Sequence, residues 1–492
     1  MVHIPKYRWP TIASMLFAPS ILLILLVSLR VVSLVPSAQI ILTTPPPLPN
    51  AERAPLQLSS DPYTTSASQH QTEVEPDSYS YGSTIVATFQ VGRFRDGGSS
   101  NIGWATSTDA GTTWKNGFLP GTTKVVGGPY TRISDPSVTY DAAHQTWIIN
   151  SLTVTGNSGN LVSPAVIVNL STDGGLTWGK PIKVIDGGST FYDKNWITCD
   201  NTVTSPFYGH CYVEWDDDDK GGLIEMSTST DGGHSWGKAQ TTANNAHGLG
   251  GQPLVQPGGT VIVPISGYDT DKMLAFTSNN GGKSWSSTVT VAKITGSALA
   301  SAETDGSGKV YLVWADCSFE TNCKQNITEG RDDRNTSTSE DSLVREDDLV
   351  MSTSTDGVTW SPVQRIPITP RGSGLAYAFP GLAVDKSTSG SSAHLALAFY
   401  YHTANCSPSC DYYVGFVAST NGGASWTQNI RLAGPMSSSW LPQGRNKVGD
   451  YISTSFCGGL AFPVFAIASE PGDDGHLNEA IYTVMGGLVV QG

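Results

Sequence analysis

Positive charge is what this sequence has least of. Lys and Arg number 28 of 492 residues against 42 Asp and Glu, a net charge of −14, and charged residues of both signs make up only 14%. No Lys/Arg-rich run follows the first few residues. A nucleic-acid partner is thereby excluded, since a phosphate backbone needs a basic surface. Helical patterning is missing too. Past the N-terminus no long stretch repeats its apolar residues every 3.6 positions, which argues against a helical bundle. The cysteines lack matching His pairs at metal-binding spacing, which argues against a zinc framework.

There is one long apolar run, from Thr11 to about Leu29, with Lys6 and Arg8 before it and Arg30 just after. At about 19 residues it is long enough to span a bilayer. It reads as an N-terminal hydrophobic helix, either a retained anchor or a signal peptide, with the remainder exported. Pro36 makes the VPSA ending at Ala38 a poor cleavage site. The expected organisation is a signal or anchor segment over 1–38, a Pro/Ser/Thr-rich spacer over 39–70 and a globular part over 71–492. The expected location is therefore extracytoplasmic, either held at a membrane or secreted.

What is abundant is turn chemistry. Gly (53), Ser and Thr are frequent and Trp occurs 13 times, the balance of an all-β, turn-rich protein. Seven cysteines lie beyond the spacer. Six fall into local pairs, Cys199 with Cys211, Cys317 with Cys323 and Cys406 with Cys410, and Cys457 stands alone. In an exported chain these pairs read as disulfides.

Six segments share a Ser, a central Asp or Asn, a Gly and a closing Trp. They run Ser107–Trp114, Ser171–Trp178, Ser229–Trp236, Ser278–Trp285, Ser354–Trp360 and Ser419–Trp426. The central Asp109, Asp173, Asp231, Asn280, Asp356 and Asn421 are suited to accept backbone N–H groups across a tight turn, while Gly takes positive φ. In this the chain resembles the sialidase superfamily and related Asp-box (BNR) repeat propellers. The resemblance implies that the boxes are structural and lie away from any catalytic centre.

Upstream of each box a second element recurs. A polar, acidic or aromatic residue, often followed by Pro, opens a short apolar strand: EPDSYSYG from Glu75, DPSVTYD from Asp135, KNWITCD from Lys194, QPLVQPGG from Gln252, LASAETD from Leu299, FPGLAVD from Phe379 and DYISTSF from Asp450. Each leads into a second β-rich run, and a third strand then enters the box. The count is seven four-stranded blades of a β-propeller, with six as the alternative. The seventh unit has no box, so the segment around Leu56 to Gln71 is expected to complete it.

In such a fold the boxes occupy one face, and the strand starts crowd around the axis on the other. That places Glu75, Asp135, Asp193, Lys194 and Asp450 together, with Arg93, Arg95, Arg371 and Arg445 on loops of the same face. The resemblance implies three Arg for a substrate carboxylate, a Tyr nucleophile, a Glu activating it and an Asp acid/base. Tyr451, Glu303 or Glu75, and Asp135 are the candidates for the last three. Departing from the family pattern, no Arg-Ile-Pro precedes the first box, and the one at Arg365 follows the fifth. The expected function is glycan cleavage of sialidase type or non-catalytic recognition of a glycan or protein, with the membrane as N-terminal partner. No cofactor is required; Ca2+ is the cation the acidic ring would suit.

Overall fold

The computed structural model describes residues 54–491 apart from 157–158, 269, 296–298, 322, 324–345, 405, 407–408 and 443–447. The hydrophobic N-terminal run and Arg445 therefore lie outside the described residues, and no described helix is long and apolar enough to cross a membrane. Helical structure among the described residues is confined to short 3-10 turns; everything else regular is antiparallel β-sheet.

Hydrogen bonding groups the strands into six sheets, one of them eight-stranded. That large sheet consists of two four-stranded halves, Glu73–Phe118 and Arg132–Asp186, joined only where Ser99 faces Ile133. The units follow one another along the chain, each with its first strand innermost. In order these first strands are Glu73–Tyr81, Arg132–Asp141, Tyr192–Cys199, Leu254–Val255, Ala300–Thr304, Leu375–Val384 and Ser453–Cys457. Neighbouring first strands lie side by side, and the last lies beside the first. Polar bonds stitch this ring. Val138 N–H donates to Asp77, Asn195 to the Asp135 carbonyl, Ala302 N–H to Gln252, Leu382 N–H to Ser301, and Thr454 to the Gly381 carbonyl. Ser453 and Ser78 close the circle at 3.0 Å.

The final unit takes its outer strand from the other end of the chain. Pro55–Gln57 pairs antiparallel with Glu479–Val484, Leu56 facing Thr483. That strand lies in the stretch the sequence suggested would complete the seventh unit.

The boxes share one geometry. The Ser hydroxyl donates to the central Asp or Asn and accepts the N–H of a box glycine: Ser107 with Asp109 and Gly111 at 2.8 Å each, Ser419 with Asn421 and Gly423 at 2.9 and 3.0 Å. In the Asp boxes at 109, 173 and 231 the closing hydroxyl donates to the carboxylate, as Thr113 does to Asp109 at 2.6 Å. In the Asn boxes the polarity reverses, and the Asn421 amide donates to the Ser425 oxygen at 2.7 Å. Each bonded box glycine packs against the preceding unit. A Cβ on Gly175 would meet Val86, on Gly233 Leu170, on Gly282 Tyr212, on Gly357 Ile262 and on Gly423 Met351. The first of the series, Gly111, packs against Phe462 of the last unit. Disulfides join Cys199–Cys211, Cys317–Cys323 and Cys406–Cys410, while Cys457 is free and buried. Three disulfides suit an oxidising compartment outside the cytoplasm.

Candidate functional site

Four of the first strands open with the same local device. Glu75, Asp135, Lys194 and Phe379 have φ of 56°, 48°, 46° and 49°. Each stands where the register with the second strand slips. A left-handed non-glycine residue costs about 1–3 kcal/mol, and a bulge bends the strand and re-aims a side chain. Pro76, Pro136 and Pro380 follow three of the four, which suits an unpaired bulge position because proline has no N–H to donate. Phe379 spends the device on packing against Tyr400. The other three are charged and line one cavity.

That cavity has a volume of about 380 Å³ and is lined by Glu75, Arg93, Asp135, Asp193, Lys194 and Asp450, among others. Lys194 holds it together. Its ammonium lies 2.7 Å from Asp450, 3.8 Å from Asp135 and 4.0 Å from Asp193. The Lys194 side chain is only 11% exposed. Asp135 Oδ1 accepts the Ser134 hydroxyl at 2.7 Å, while its Oδ2 receives no hydrogen bond. Gln90 bonds Glu75 and Ser134 from the second strand of the first unit. Asp96 also lines the cavity, but Arg132 neutralises it at 2.5 Å. Among the described residues, the carboxylates of Glu75, Asp135, Asp193 and Asp450 thus share the cavity wall with two cations, Arg93 and Lys194.

A narrower cavity of about 80 Å³ runs among the first strands, lined by Asp77, Trp196, Gln252, Glu303 and Tyr451. Asp135 and Lys194 line both cavities, so the two adjoin. Tyr451 packs edge-on against Trp196 and donates its hydroxyl to the Pro136 carbonyl at 3.0 Å. Burial, then the charges of Asp135, Glu75 and Asp77, push its pKa well above the usual phenol range. Glu303 is engaged elsewhere, 3.4 Å from Lys386 and accepting the Thr304 N–H.

The sequence-derived candidates thus divide. Glu75, Asp135, Asp193, Lys194, Asp450 and Arg93 come together; Tyr451 adjoins them; Glu303 lines the narrower cavity. Arg95 is exposed, and the exposed Arg371 bonds the Phe319 carbonyl.

Sequence reasoning missed a layer of buried acids behind the cavity. Glu214 and Asp216 alternate along the wholly buried strand Cys211–Asp217. Neither receives a hydrogen bond of ordinary geometry, the nearest donors being the Gly251 and Gly250 N–H groups. Burial holds both carboxyls well above the carboxylate range. Glu479 is equally buried and raised, and burial takes Glu73 to about 8 and Asp77 to about 7. The signal available beforehand was an acidic residue inside an otherwise apolar strand, as in CYVEW.

Among the described residues, one set of three side chains brings potential metal-ligating atoms within 4.8 Å of one another: His402, Cys406 and Cys410. Its two sulfurs are joined to each other. The cavity carboxylates do not converge to that degree.

No protein-family model and no curated protein matches the chain. Solved structures similar to it include a Hadza microbial sialidase, at 17% identity over 74% of this chain and 66% of that one, TM-score 0.42. Trypanosoma rangeli sialidase in complex with sialic acid is similar at 13% identity over 76% and 60%, TM-score 0.45. A protein of unknown function from Dyadobacter fermentans gives 13% over 75% and 98%, TM-score 0.47. The chain spans less than two thirds of either sialidase. At such values the assignment of fold rests on the chain's own features, the six boxes and the closed ring of four-stranded units. By those features it is an Asp-box β-propeller.

Proposed function

We propose that this chain is an exported, seven-bladed propeller that recognises the end of a glycan in the Lys194 cavity. The observation that carries the reading is the mixture of charges there. Sugar hydroxyls donate and accept at once, and a cavity presenting carboxylates beside an ammonium and a guanidinium answers both roles. Its volume of about 380 Å³ is at the lower end of ordinary ligand sites, which run from roughly 300 to 1,000 Å³. The N-terminal apolar run and the spacer of 39–70 then serve for export and display, the run remaining as an anchor.

Hydrolysis is the second reading, and the carboxylate pair favours it. Asp135 and Asp450 both lie within 4 Å of the Lys194 ammonium. That keeps their oxygens within roughly 6.5 Å of each other, a range in which paired carboxylates act on glycosidic bonds. Asp135 would be the acid with Asp450 as the second carboxylate or, in the sialidase manner, with Tyr451 as nucleophile instead. Against that role, the Tyr451 hydroxyl is committed to the Pro136 carbonyl and its raised pKa opposes ionisation. The absence of a contact joining Tyr451 to Glu303 among the described interactions supports recognition first.

The test is to offer the purified protein a panel of fluorogenic glycosides, sialosides included, and to measure binding of matching unlabelled glycans. Binding without turnover is expected. Sialoside release that disappears in Tyr451→Phe would overturn recognition in favour of hydrolysis.

A further inference from the structure

We infer that His402, Cys406 and Cys410 form a thiol-gated metal site, closed while the two cysteines are bonded to each other and able to take one zinc ion once a dithiol has reduced them. The inference is independent of the glycan reading. Its ground is convergence from two neighbouring strands of one unit. His402 lies near the end of the strand Leu395–Thr403, and Cys410 stands immediately before the strand Asp411–Ser419. Both side chains are buried, His402 4% and Cys410 1% exposed. Both are also held in place. The His402 ring packs against Tyr412, centroids 5.2 Å apart, and the Cys410 N–H donates to the Ser438 hydroxyl at 3.1 Å. Cys406, on the connection between the strands, is half-buried and places its Sγ 3.5 Å from His402 Nδ1. The three potential ligand atoms thus lie within 4.8 Å of one another.

Two thiolates and an imidazole are a donor set for zinc, and three protein ligands leave the fourth tetrahedral position to water. Two sulfurs at about 2.3 Å from one zinc ion stand about 3.8 Å apart. The Cα atoms of Cys406 and Cys410 are 5.0 Å apart, so that separation is within reach of side-chain rotation. His402 Nδ1 faces the Thr403 carbonyl at 3.0 Å. As a ligand it gives up that contact, and the ring proton resides on Nε2. The opening step balances as thiol–disulfide exchange. One thiolate of the dithiol attacks the Cys406 sulfur, Cys410 leaves as a thiolate, and the second thiol closes the reagent's own disulfide and releases Cys406. The dithiol loses two electrons, the protein disulfide gains them, and zinc then displaces the protons of both cysteines. Among the described residues no comparable set surrounds the Cys199–Cys211 or Cys317–Cys323 bridge.

The experiment reduces the purified protein with dithiothreitol, removes the reagent by anaerobic gel filtration and titrates cobalt(II), whose sulfur charge-transfer band reports thiolate ligation, followed by zinc. The reduced protein is expected to bind one equivalent of cobalt that zinc displaces, and the oxidised protein to show no band. Replacing both Cys406→Ser and Cys410→Ser should abolish the band while the other cysteines remain. His402→Asn, which leaves the disulfide intact, should weaken metal binding about tenfold or more. Because the double variant also loses a crosslink, alkylation gives a readout on the unaltered chain. Zinc should slow iodoacetamide labelling of reduced Cys406 and Cys410 several-fold and leave Cys317 and Cys323 unaffected. A band in the oxidised protein, no band in the reduced one, or a band retained in the double variant would overturn the site. Unchanged affinity in His402→Asn, or equal protection of Cys317 and Cys323, would overturn it as well, by placing the metal elsewhere.

Discussion

Glu73 shows how one side chain can set the pH response of a seam between units. It accepts the Ser59 hydroxyl at 2.8 Å and is buried near Glu479, and burial lifts its carboxyl to about 8. The folded state therefore prefers the protonated form. Its stabilising contribution is complete below the ordinary carboxyl pKa of about 4.5 and is lost as pH rises through about 8. Glu73→Gln keeps an acceptor for Ser59 and cannot ionise. The variant should melt with wild type at pH 5 and above it at pH 9, by on the order of 3 kcal/mol in stability. Thermal melts at the two pH values check this, and parallel curves would contradict it. Residues of this kind were opaque in the sequence, because Glu73, Glu214 and Asp216 look like solvent-facing acids until a neighbouring unit covers them. The box residues were readable for the opposite reason, since the side-chain bonds of Ser107, Asp109 and Thr113 close within five residues.

At the level of elements, the box turn does two jobs that can be separated. Gly174 and Gly111 are both left-handed, at φ 82° and 79°. A Cβ on Gly174 would find only Thr108 at 3.9 Å, whereas one on Gly111 would meet the Phe462 ring at 2.2 Å. Gly174→Ala should therefore cost only the backbone term, about 1 kcal/mol. Gly111→Ala adds overpacking and should cost about 3 kcal/mol or more. Chemical denaturation of the two variants measures the difference, which is the packing term alone. The strand starts were half readable. The recurrence of a polar residue before Pro marked Glu75 and Asp135, but not where their neighbours would go. Tyr451 reaches the Pro136 carbonyl across 315 residues, and Arg371 turns to Phe319 instead of the cavity. Such pairings depend on how the ring closes, which no local pattern encodes.

For the whole molecule, closure depends on the two ends of the described chain sharing one unit. Pro55–Gln57 covers the edge of Glu479–Val484, and Leu58 N–H continues the contact by donating to the Ile481 carbonyl at 2.8 Å. A chain beginning at residue 58 exposes that edge, and the melting temperature should fall by several degrees with an increased tendency to self-associate. Scattering after mild heating, compared with the longer chain, checks it. The succession of four-stranded units was accessible to sequence because strand starts and boxes recur at intervals that one unit fills; the identity of the closing strand needed the partner at the far terminus.

The same closure has a mechanical side. Three residues, one of them a proline without an N–H, make up the strand through which tension from the N-terminal side enters the sheet. The strand it pairs with, Glu479–Val484, is longer and bonded on both edges, so a pull on residue 54 is borne first by this clasp. It would peel away one pair at a time, at low force, before the Lys194 cavity felt any load. The outer strand of the last unit thus acts as a fuse, and a single-molecule stretching trace should show a short, weak release ahead of the main rupture.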